Sequence, residues 1–403
     1  MLLQTWRPVA AALGLAVIPL AASSGPLLTA RPAAPVRTHP VEASRRPAVA
    51  TYCSNNGSGG FIGNGYQNTA GGANSGVLDG QYNQACDQLT GIGTGAANVI
   101  YNNGVAGAEE SFIAAGDTNF ISQYRSFIGA GAGGYVAAPY AFIGSGSANT
   151  VGAGGIYAFV GAGRLNDASN AYASIDGGFR NAASAAYASI GGGYGNTASG
   201  PNATIPGGYE NVASGNSSFA GGQKSVADTL GAFVWSDAAS GATQLKSTAE
   251  NQFLVRASGG TTFYSNPALT SGVSLAPGSG SWASLSDRTM KTAIVPLDDA
   301  AVLDKVVALP VSEWSYTSEN GVRHVGPMAQ DFYAAFKVGE DDRHITTIDE
   351  DGVALAAIKG LYAKSERNAA AAQRENALLR GQVSSMQRQL AALAAKVDDL
   401  EKR

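Results

Sequence analysis

A serine and a lysine stand five residues apart in the C-terminal third of the chain, at Ser286 and Lys291. A serine hydroxyl is a poor nucleophile until a base takes its proton, and a lysine is such a base only where burial lowers its pKa towards neutrality. A turn or the first turn of a helix brings residues at this spacing into contact. Two interpretations stay open: a serine–lysine catalytic pair, or Ser286 and Asp287 capping a helix beside a solvated Lys291.

Other kinds of reactive site find little support. No spacing of cysteine and histidine resembles a metal site, and we expect neither a metal nor a cofactor. The histidines are His39, His324 and His344. Glycan hydrolysis needs two carboxylates at a defined separation. The glycine-rich region offers isolated carboxylates such as Glu109, Glu110, Asp176 and Glu210. A glycan-degrading fibre therefore stays only as an alternative function.

The composition indicates an unusual architecture. Charged residues make up 14% of the 403 residues, and the 53 glycines cluster between Gly57 and Gly260. Both values depart from those of ordinary globular proteins, and the glycine excess is local, so it reflects the architecture of that region. The net charge is -4, and the central region has no cluster of lysine and arginine. We therefore expect no nucleic-acid partner.

The N-terminus has the pattern of an export signal. A single early positive charge precedes an apolar run of residues 9–22 and then small residues, which predicts a signal peptide over residues 1–24. Because the run is short and contains Pro19, we expect no lasting membrane insertion. Residues 25–56 then read as a disordered linker. In an oxidising compartment Cys53 and Cys86 either form one disulfide or stay unpaired.

The central region is a repeat of about fifteen residues. An apolar anchor recurs at Ile62, Val77, Ile92, Ile113, Ile128, Ile143, Val160, Ile175, Ile190, Ile205 and Phe219. A glycine follows each of the eleven anchors by three residues, from Gly65 to Gly222, and an asparagine follows nine of them by six residues. The spacing of fourteen before Phe219 indicates a deletion there.

Fifteen residues are too few for a helical hairpin but suffice for two short strands and two corners of a parallel β-roll or solenoid. We expect the anchor to point inward, the glycine to form a corner with positive φ, and the asparagine to occupy the left-handed region at the second corner. Eleven turns about 4.8 Å apart make a rod on the order of 50 Å long. Because the core of one chain is small, we predict a homo-oligomer, and specifically a trimer.

Two segments carry a resemblance to a known family. Residues 172–184 read YASIDGGFRNAAS and residues 187–200 read YASIGGGYGNTASG. They resemble the head repeats of trimeric autotransporter adhesins, a resemblance that covers residues 60–227. It implies three interlocked parallel β-rolls that project from a cell and bind a cell-surface or glycan receptor. Such adhesins end in a membrane-embedded β-barrel segment, which the motifs of this chain do not predict, so we expect a departure from that family here.

A second resemblance lies after the repeats. Residues 286–291 read SDRTMK, residues 309–314 read LPVSEW and residues 324–331 read HVGPMAQD. These motifs, in this order, resemble the intramolecular chaperone domain of phage endosialidases and tail fibres, the S74 peptidase family, over residues 285–375. The resemblance implies that the domain trimerises a fibre and then cuts itself off, with Ser286 as nucleophile, Lys291 as general base and His324 near the cleavage machinery. Thr289 stands where that family often carries arginine.

The last part of the chain has a heptad pattern. Positions a hold Leu355, Tyr362, Ala369, Asn376, Val383, Leu390 and Val397, and positions d hold Ile358, Ala372, Leu379, Met386, Leu393 and Leu400. The pattern predicts a coiled coil. Val at a, Leu at d and Asn376 at a suit a dimer in isolation, whereas the resemblance implies a trimer. The alternative is one amphipathic helix that packs back on its own domain.

Taken together, the sequence predicts a mainly β protein. Its segments are a signal peptide (1–24), a linker (25–56), the repeats (57–227), a β-rich connector (228–284), an α+β chaperone domain (285–365) and a coiled coil (366–403). We expect an exported surface fibre that assembles as a trimer and cleaves itself once, secreted or on a bacterial surface. The alternatives are a virion tail fibre and an adhesin whose trimerising tip is permanent.

Overall fold

A computed structural model describes residues 52–55, 57–101, 108–239 and 243–402. The predicted signal peptide and most of the predicted linker lie outside these residues. The chain divides into two compact units: one runs to Thr261 and includes Leu275–Trp282, and the other comprises Thr262–Ser274 and the residues from Ala283 onward.

The first unit is a parallel β-solenoid of about eleven turns, here called the shaft (residues 57–256). Each turn contributes one short strand to each of two parallel sheets. The first sheet contains β1 Phe61–Ile62, β3 Gly76–Val77, β5 Gly91–Ile92, β7 Phe112–Ile113, β9 Phe127–Ile128, β11 Phe142–Ile143, β13 Phe159–Val160, β15 Ser174–Ile175, β17 Ser189–Ile190, β19 Thr204–Ile205, β20 Gly208–Tyr209, β22 Phe219–Gln223, β24 Phe233–Ser236 and β26 Phe253–Arg256.

The second sheet of the shaft runs in the same way. It contains β2 Thr69–Ala70, β4 Gln84–Ala85, β6 Val99–Ile100, β8 Phe120–Ile121, β10 Tyr135–Val136, β12 Thr150–Val151, β14 Asp167–Ala168, β16 Ala182–Ala183, β18 Thr197–Ala198, β21 Val212–Ala213, β23 Ser225–Ala227 and β25 Leu245–Lys246. The parallel pairing continues beyond residue 227, since Phe233 pairs with Phe219 and Phe253 with Phe233. Part of the predicted connector is therefore further turns of the solenoid.

The anchors form the core of the shaft. Ile113, Ile128 and Ile143 are stacked in register and fully buried, as are most of the others. The predicted mainly β fold with a parallel solenoid is confirmed. One anchor was wrong: Phe219 pairs with Thr204 and lies only partly buried, whereas Ala220 is fully buried. The fourteen-residue spacing therefore falls after this anchor, where Gly208 pairs with Gly222.

The predicted glycine corner is present. Gly65 has a φ of 102°, and a Cβ on it would lie 1.9 Å from the carbonyl oxygen of Gly80 on the next turn. Both the backbone conformation and the close approach of the next turn therefore require glycine.

The predicted role of the asparagines is wrong. The residue before each asparagine adopts the left-handed conformation, for example Gln67 (φ 52°), Tyr82 (φ 57°) and Arg180 (φ 57°). The asparagines themselves are buried in a ladder of hydrogen bonds that joins successive turns. Asn196, for example, donates from its backbone and its side chain to Oδ1 of Asn181, at 3.0 and 3.1 Å. The buried amide of each asparagine has two donor hydrogens and one acceptor oxygen, so it can satisfy polar backbone groups of its own turn and of the next turn.

The first turns of the shaft are joined by a disulfide between Cys53 and Cys86, whose Cα atoms are 5.6 Å apart. This resolves the pairing that the sequence left open. It connects the chain before the first strand to the second turn of the solenoid.

The second unit is α+β. Strands β27 Thr261–Tyr264, β28 Gly272–Leu275 and β29 Trp282–Ser284 form a three-stranded sheet, most of whose residues belong to this unit. Strand β30 Ser312–Trp314 pairs antiparallel with β31 His324–Gly326. The helices are α1 Asp299–Ala308, α2 Ala329–Phe336 and α3 Thr347–Glu401. Among the described residues, no helix combines the length and apolar character that a membrane crossing requires.

Helix α3 packs on α1 through small residues. Ala356, Ala357 and Gly360 are buried there, and a Cβ on Gly360 would lie 2.2 Å from the carbonyl oxygen of Asp299. Lys359 forms an ion pair with Asp299 at 2.8 Å. The apolar heptad positions lie elsewhere on the helix and stay exposed: Leu355, Ile358, Tyr362, Leu379, Val383, Met386, Leu390, Leu393, Val397 and Leu400.

Candidate functional site

Ser286 lies two residues after β29, the last strand of the three-stranded sheet, and two residues before a short 3₁₀ turn, Arg288–Met290. Asp287 caps this turn, because its carboxylate accepts hydrogen bonds from the backbone and the hydroxyl of Thr289, both at 2.8 Å. The backbone bond is the larger of the two effects that hold the pKa of Asp287 below its usual range. The capped turn returns the chain so that Lys291 faces Ser286.

Ser286 and Lys291 are in direct contact. The Nζ atom of Lys291 lies 2.6 Å from Oγ of Ser286, within hydrogen-bond distance. Here the ammonium donates to the hydroxyl; the neutral amine would instead accept the hydroxyl proton and leave a nucleophilic oxygen. Both side chains are exposed, so water solvates the charged lysine. The geometry of a serine–lysine pair is therefore present, whereas the burial that activates such a pair is not supplied by one chain.

His324 occupies a separate aromatic cluster on the β30–β31 hairpin. Its ring stacks on Trp314 with centroids 4.8 Å apart and meets Tyr316 edge-on at 5.6 Å. Its Nε2 atom lies 2.9 Å from a carboxylate oxygen of Glu319. Within the described ranges, His324 is not a hydrogen-bond partner of Ser286 or Lys291. The structure thus brings together two of the three predicted site residues.

Sequence reasoning missed Glu319. A carboxylate that accepts a hydrogen bond from Nε2–H fixes the imidazole tautomer and leaves Nδ1 as an acceptor, which is the kind of arrangement that orients a catalytic histidine. The sequence offers only its position, five residues before His324, which by itself does not mark it as a partner. Trp314, which stacks on the histidine, also has a buried indole nitrogen without a hydrogen-bond partner in the described part of the chain.

Two of the isolated carboxylates of the shaft, Glu110 and Glu210, have side-chain partners on the shaft itself. Glu110 is neutralised by Arg125 at 2.7 Å, and Glu210 accepts a hydrogen bond from Tyr209 that raises the pKa of the tyrosine. Across the described residues, no group of three or more His, Cys, Asp or Glu side chains is placed to hold a metal ion.

Comparison with known proteins identifies one segment. None of the curated proteins matches the chain. A family model, Peptidase_S74, matches residues 286–338. The match begins at Ser286, contains Lys291, Glu319 and His324, and ends before α3, so it is shorter than the range of resemblance that the sequence motifs predicted. Residues 286–338 are therefore similar to the Peptidase_S74 family, which is described as the chaperone of endosialidase.

Proposed function

We propose that this chain is an exported fibre protein whose C-terminal unit directs assembly of a trimer and then cleaves the chain through Ser286 and Lys291. The contact of 2.6 Å between the lysine nitrogen and the serine oxygen, at the first residues of the family match, carries the catalytic part of this proposal. The family description as a chaperone of endosialidase supports the assembly role in a tail-fibre-like protein. Export rests on the predicted signal peptide.

The exposed heptad face of α3 supports the association of copies. Leu390 and Leu393 are 67% and 62% exposed, although a stable monomer rarely leaves such a continuous apolar stripe open to water. The contact with α1 uses a different face, so the stripe is available to a second and a third copy. Parallel association of three such helices buries the stripe as the core of a coiled coil.

Assembly and cleavage are coupled in this proposal. The serine–lysine pair is exposed in one chain, and burial between copies favours the neutral amine that can take a proton. The oxygen of Ser286 then attacks the carbonyl carbon of the preceding peptide bond, and Lys291 takes the hydroxyl proton. The carbon–nitrogen bond breaks, Lys291 returns the proton to the leaving nitrogen, and water hydrolyses the ester. The chain thus cuts only after it has assembled.

Denaturing electrophoresis of the purified full chain tests this mechanism. We expect wild type to release a fragment that begins at Ser286, with a rate that rises with protein concentration, and we expect Ser286→Ala to stay intact. Lys291→Arg is the matched control because arginine keeps the charge and a donor but cannot act as a base. A wild-type chain that assembles and stays full length contradicts the catalytic role. A native mass of one chain contradicts the trimer.

A non-cleaving fibre with a permanent trimerising tip is the second candidate. It is favoured by Thr289, whose hydroxyl donates to Asp287 at 2.8 Å and which stands where the family often carries arginine. The same experiment separates the two, because this candidate predicts a trimeric mass together with an intact chain.

A further inference from the structure

Positive charges are scarce on the shaft, and half of the arginines and lysines there have a carboxylate partner. Six lysine and arginine residues lie between residues 57 and 256. Three of them form ion pairs with carboxylates: Arg125, Lys246 and Arg256. In the described part of the shaft, no carboxylate oxygen lies within 4.0 Å of a charged nitrogen of Arg164, Arg180 or Lys224. Two of these unpaired cations are neighbours.

Arg164 and Arg180 lie on successive turns and share one aromatic ring. The backbone nitrogen of Arg180 donates to the carbonyl oxygen of Arg164 at 3.0 Å. Their guanidinium carbons lie 5.7 and 5.0 Å from the ring centroid of Phe179. Both arginines are exposed. The backbone of Arg180 is in the left-handed conformation, which residues other than glycine rarely adopt. Two like charges are therefore held side by side with no anion of the shaft to neutralise them.

An aromatic row continues from this pair along the solenoid axis. Tyr194 lies 5.4 Å from Phe179 on the next turn, and Tyr209 stacks on Tyr194 at 5.1 Å with an angle of 10° between the rings. The two tyrosines are 37% and 41% exposed. From Arg164 to Tyr209 the row spans three steps between turns, or about 14 Å.

We propose that this arginine–aromatic patch, made of Arg164, Phe179, Arg180, Tyr194 and Tyr209, binds an acidic polysaccharide along the shaft. The planar forks of two guanidinium groups match the carboxylate of a sugar acid, and the exposed rings of Tyr194 and Tyr209 suit the adjoining sugar rings. The hydroxyl of Tyr209 already donates to Glu210, so the acidic group of the ligand belongs at the arginine end of the patch. The patch is open and elongated, which fits a polymer better than an enclosed small molecule. Repetition of the patch in an assembled fibre raises the apparent affinity by multivalency.

Binding of defined polymers to the full chain tests this proposal. Ser286→Ala serves as the background so that every sample has one length, which separates this test from the outcome of the cleavage experiment. The probes are polygalacturonate, which carries carboxylates, dextran sulfate and neutral dextran. We expect polygalacturonate to bind, neutral dextran not to bind, and Arg164→Gln and Arg180→Gln each to weaken binding about tenfold, or about 1.4 kcal/mol. Absence of binding to polygalacturonate, or a preference for dextran sulfate, overturns the proposal.

Arg125→Gln is the matched control, because it removes the same charge from the same shaft where the guanidinium already has a carboxylate partner. We expect its affinity to stay within about twofold of the parent. An equal loss in this control means general electrostatic attraction and overturns the site. Tyr209→Leu keeps both arginines and is expected to weaken binding as well; unchanged affinity contradicts the axial path. If Arg180→Gln changes the native mass, the patch is a contact between copies of the chain, and the proposal is overturned.

Discussion

Removal of one asparagine from the ladder tests whether hydrogen bonds between turns hold the shaft together. Asn181 makes five side-chain contacts at hydrogen-bond distance: its Nδ2 lies 2.9 to 3.2 Å from acceptors on Asn166, Gly177 and Gly193, and its Oδ1 accepts twice from Asn196. The amide nitrogen has two hydrogens for its three acceptors, so the contacts amount to four hydrogen bonds. At about 1 kcal/mol net for each bond, Asn181→Ala should destabilise the neighbouring turns by about 4 kcal/mol.

The chain contains its own matched control. The ladder is interrupted at Gly134, so Asn149 has no asparagine on the turn before it. Asn149 makes three side-chain bonds, to Ser145, to Gly163 and from the backbone of Asn166, at 2.8 to 3.1 Å. Asn149→Ala therefore loses one bond fewer and should cost about 3 kcal/mol. Both variants leave one buried backbone N–H without its acceptor, so their difference of about 1 kcal/mol isolates the contacts between asparagine side chains.

Hydrogen exchange is the suitable measurement, because unfolding of a repeat protein is not reliably two-state and local opening reports each turn separately. The amides above each substitution should exchange faster, and more so above position 181 than above position 149. The reverse change, Gly134→Asn, should fill the gap and slow exchange at Asn149. Its Cβ would lie 3.0 Å from Oδ1 of Asn119, a tight fit. Equal effects of the two alanine variants would refute an energetic role for the ladder.

Three further predictions concern other parts of the chain. Cys86→Ser opens a disulfide between residues 33 apart and should destabilise the first turns by about 3–4 kcal/mol in denaturant unfolding; reductant should lower the stability of wild type alone. Hydrogen bonds from Ser258, first from its hydroxyl and then from its backbone at 2.6 Å, lower the pKa of Asp237 to about 2. Because this carboxyl is depressed below its unfolded value of about 3.9, its stabilisation is present above about pH 4 and is lost as the pH falls towards 2. Asp237→Asn should flatten acid unfolding monitored by circular dichroism in that window, and an unchanged slope contradicts the assignment. Glu319→Gln should shift the ring ¹⁵N resonances of His324, because the carboxylate beside its Nε2 atom is lost. Unchanged resonances rule out that positioning role.

Periodicity made the architecture of the shaft predictable. An apolar residue every fifteen positions, followed by a glycine three residues later, is enough to specify a coil with one buried column and one tight corner. The anchor at Phe219 was misassigned because Phe219 and Ala220 both continue the pattern, and only the pairing of Thr204 with Phe219 decides which one points inward. Pairing is a long-range property that adjacent residues do not reveal.

The role of the asparagines was less accessible. A left-handed corner and a buried ladder both predict one asparagine at the same position of every repeat. Only the burial of its side chain distinguishes the two roles, and the sequence does not show that burial. At the candidate site, the five-residue spacing indicated that Ser286 and Lys291 can meet, and their side chains lie 2.6 Å apart. The exposure of that pair was not predictable, because it depends on surfaces that only the folded chain defines. Glu319 was missed since nothing local marks it as the partner of His324.

The pairing of every turn with the next has a consequence for the evolution of length. Each strand of the repeats meets an equivalent strand one turn away, as where Ala168 faces Ala183 and Ala183 faces Ala198. Loss or gain of one whole turn therefore leaves every remaining strand with an equivalent neighbour, and it changes the reach of the fibre by about 4.8 Å. The length of the shaft can therefore change only in steps of one turn, and we expect related fibres to differ in length by whole turns while their terminal segments stay the same.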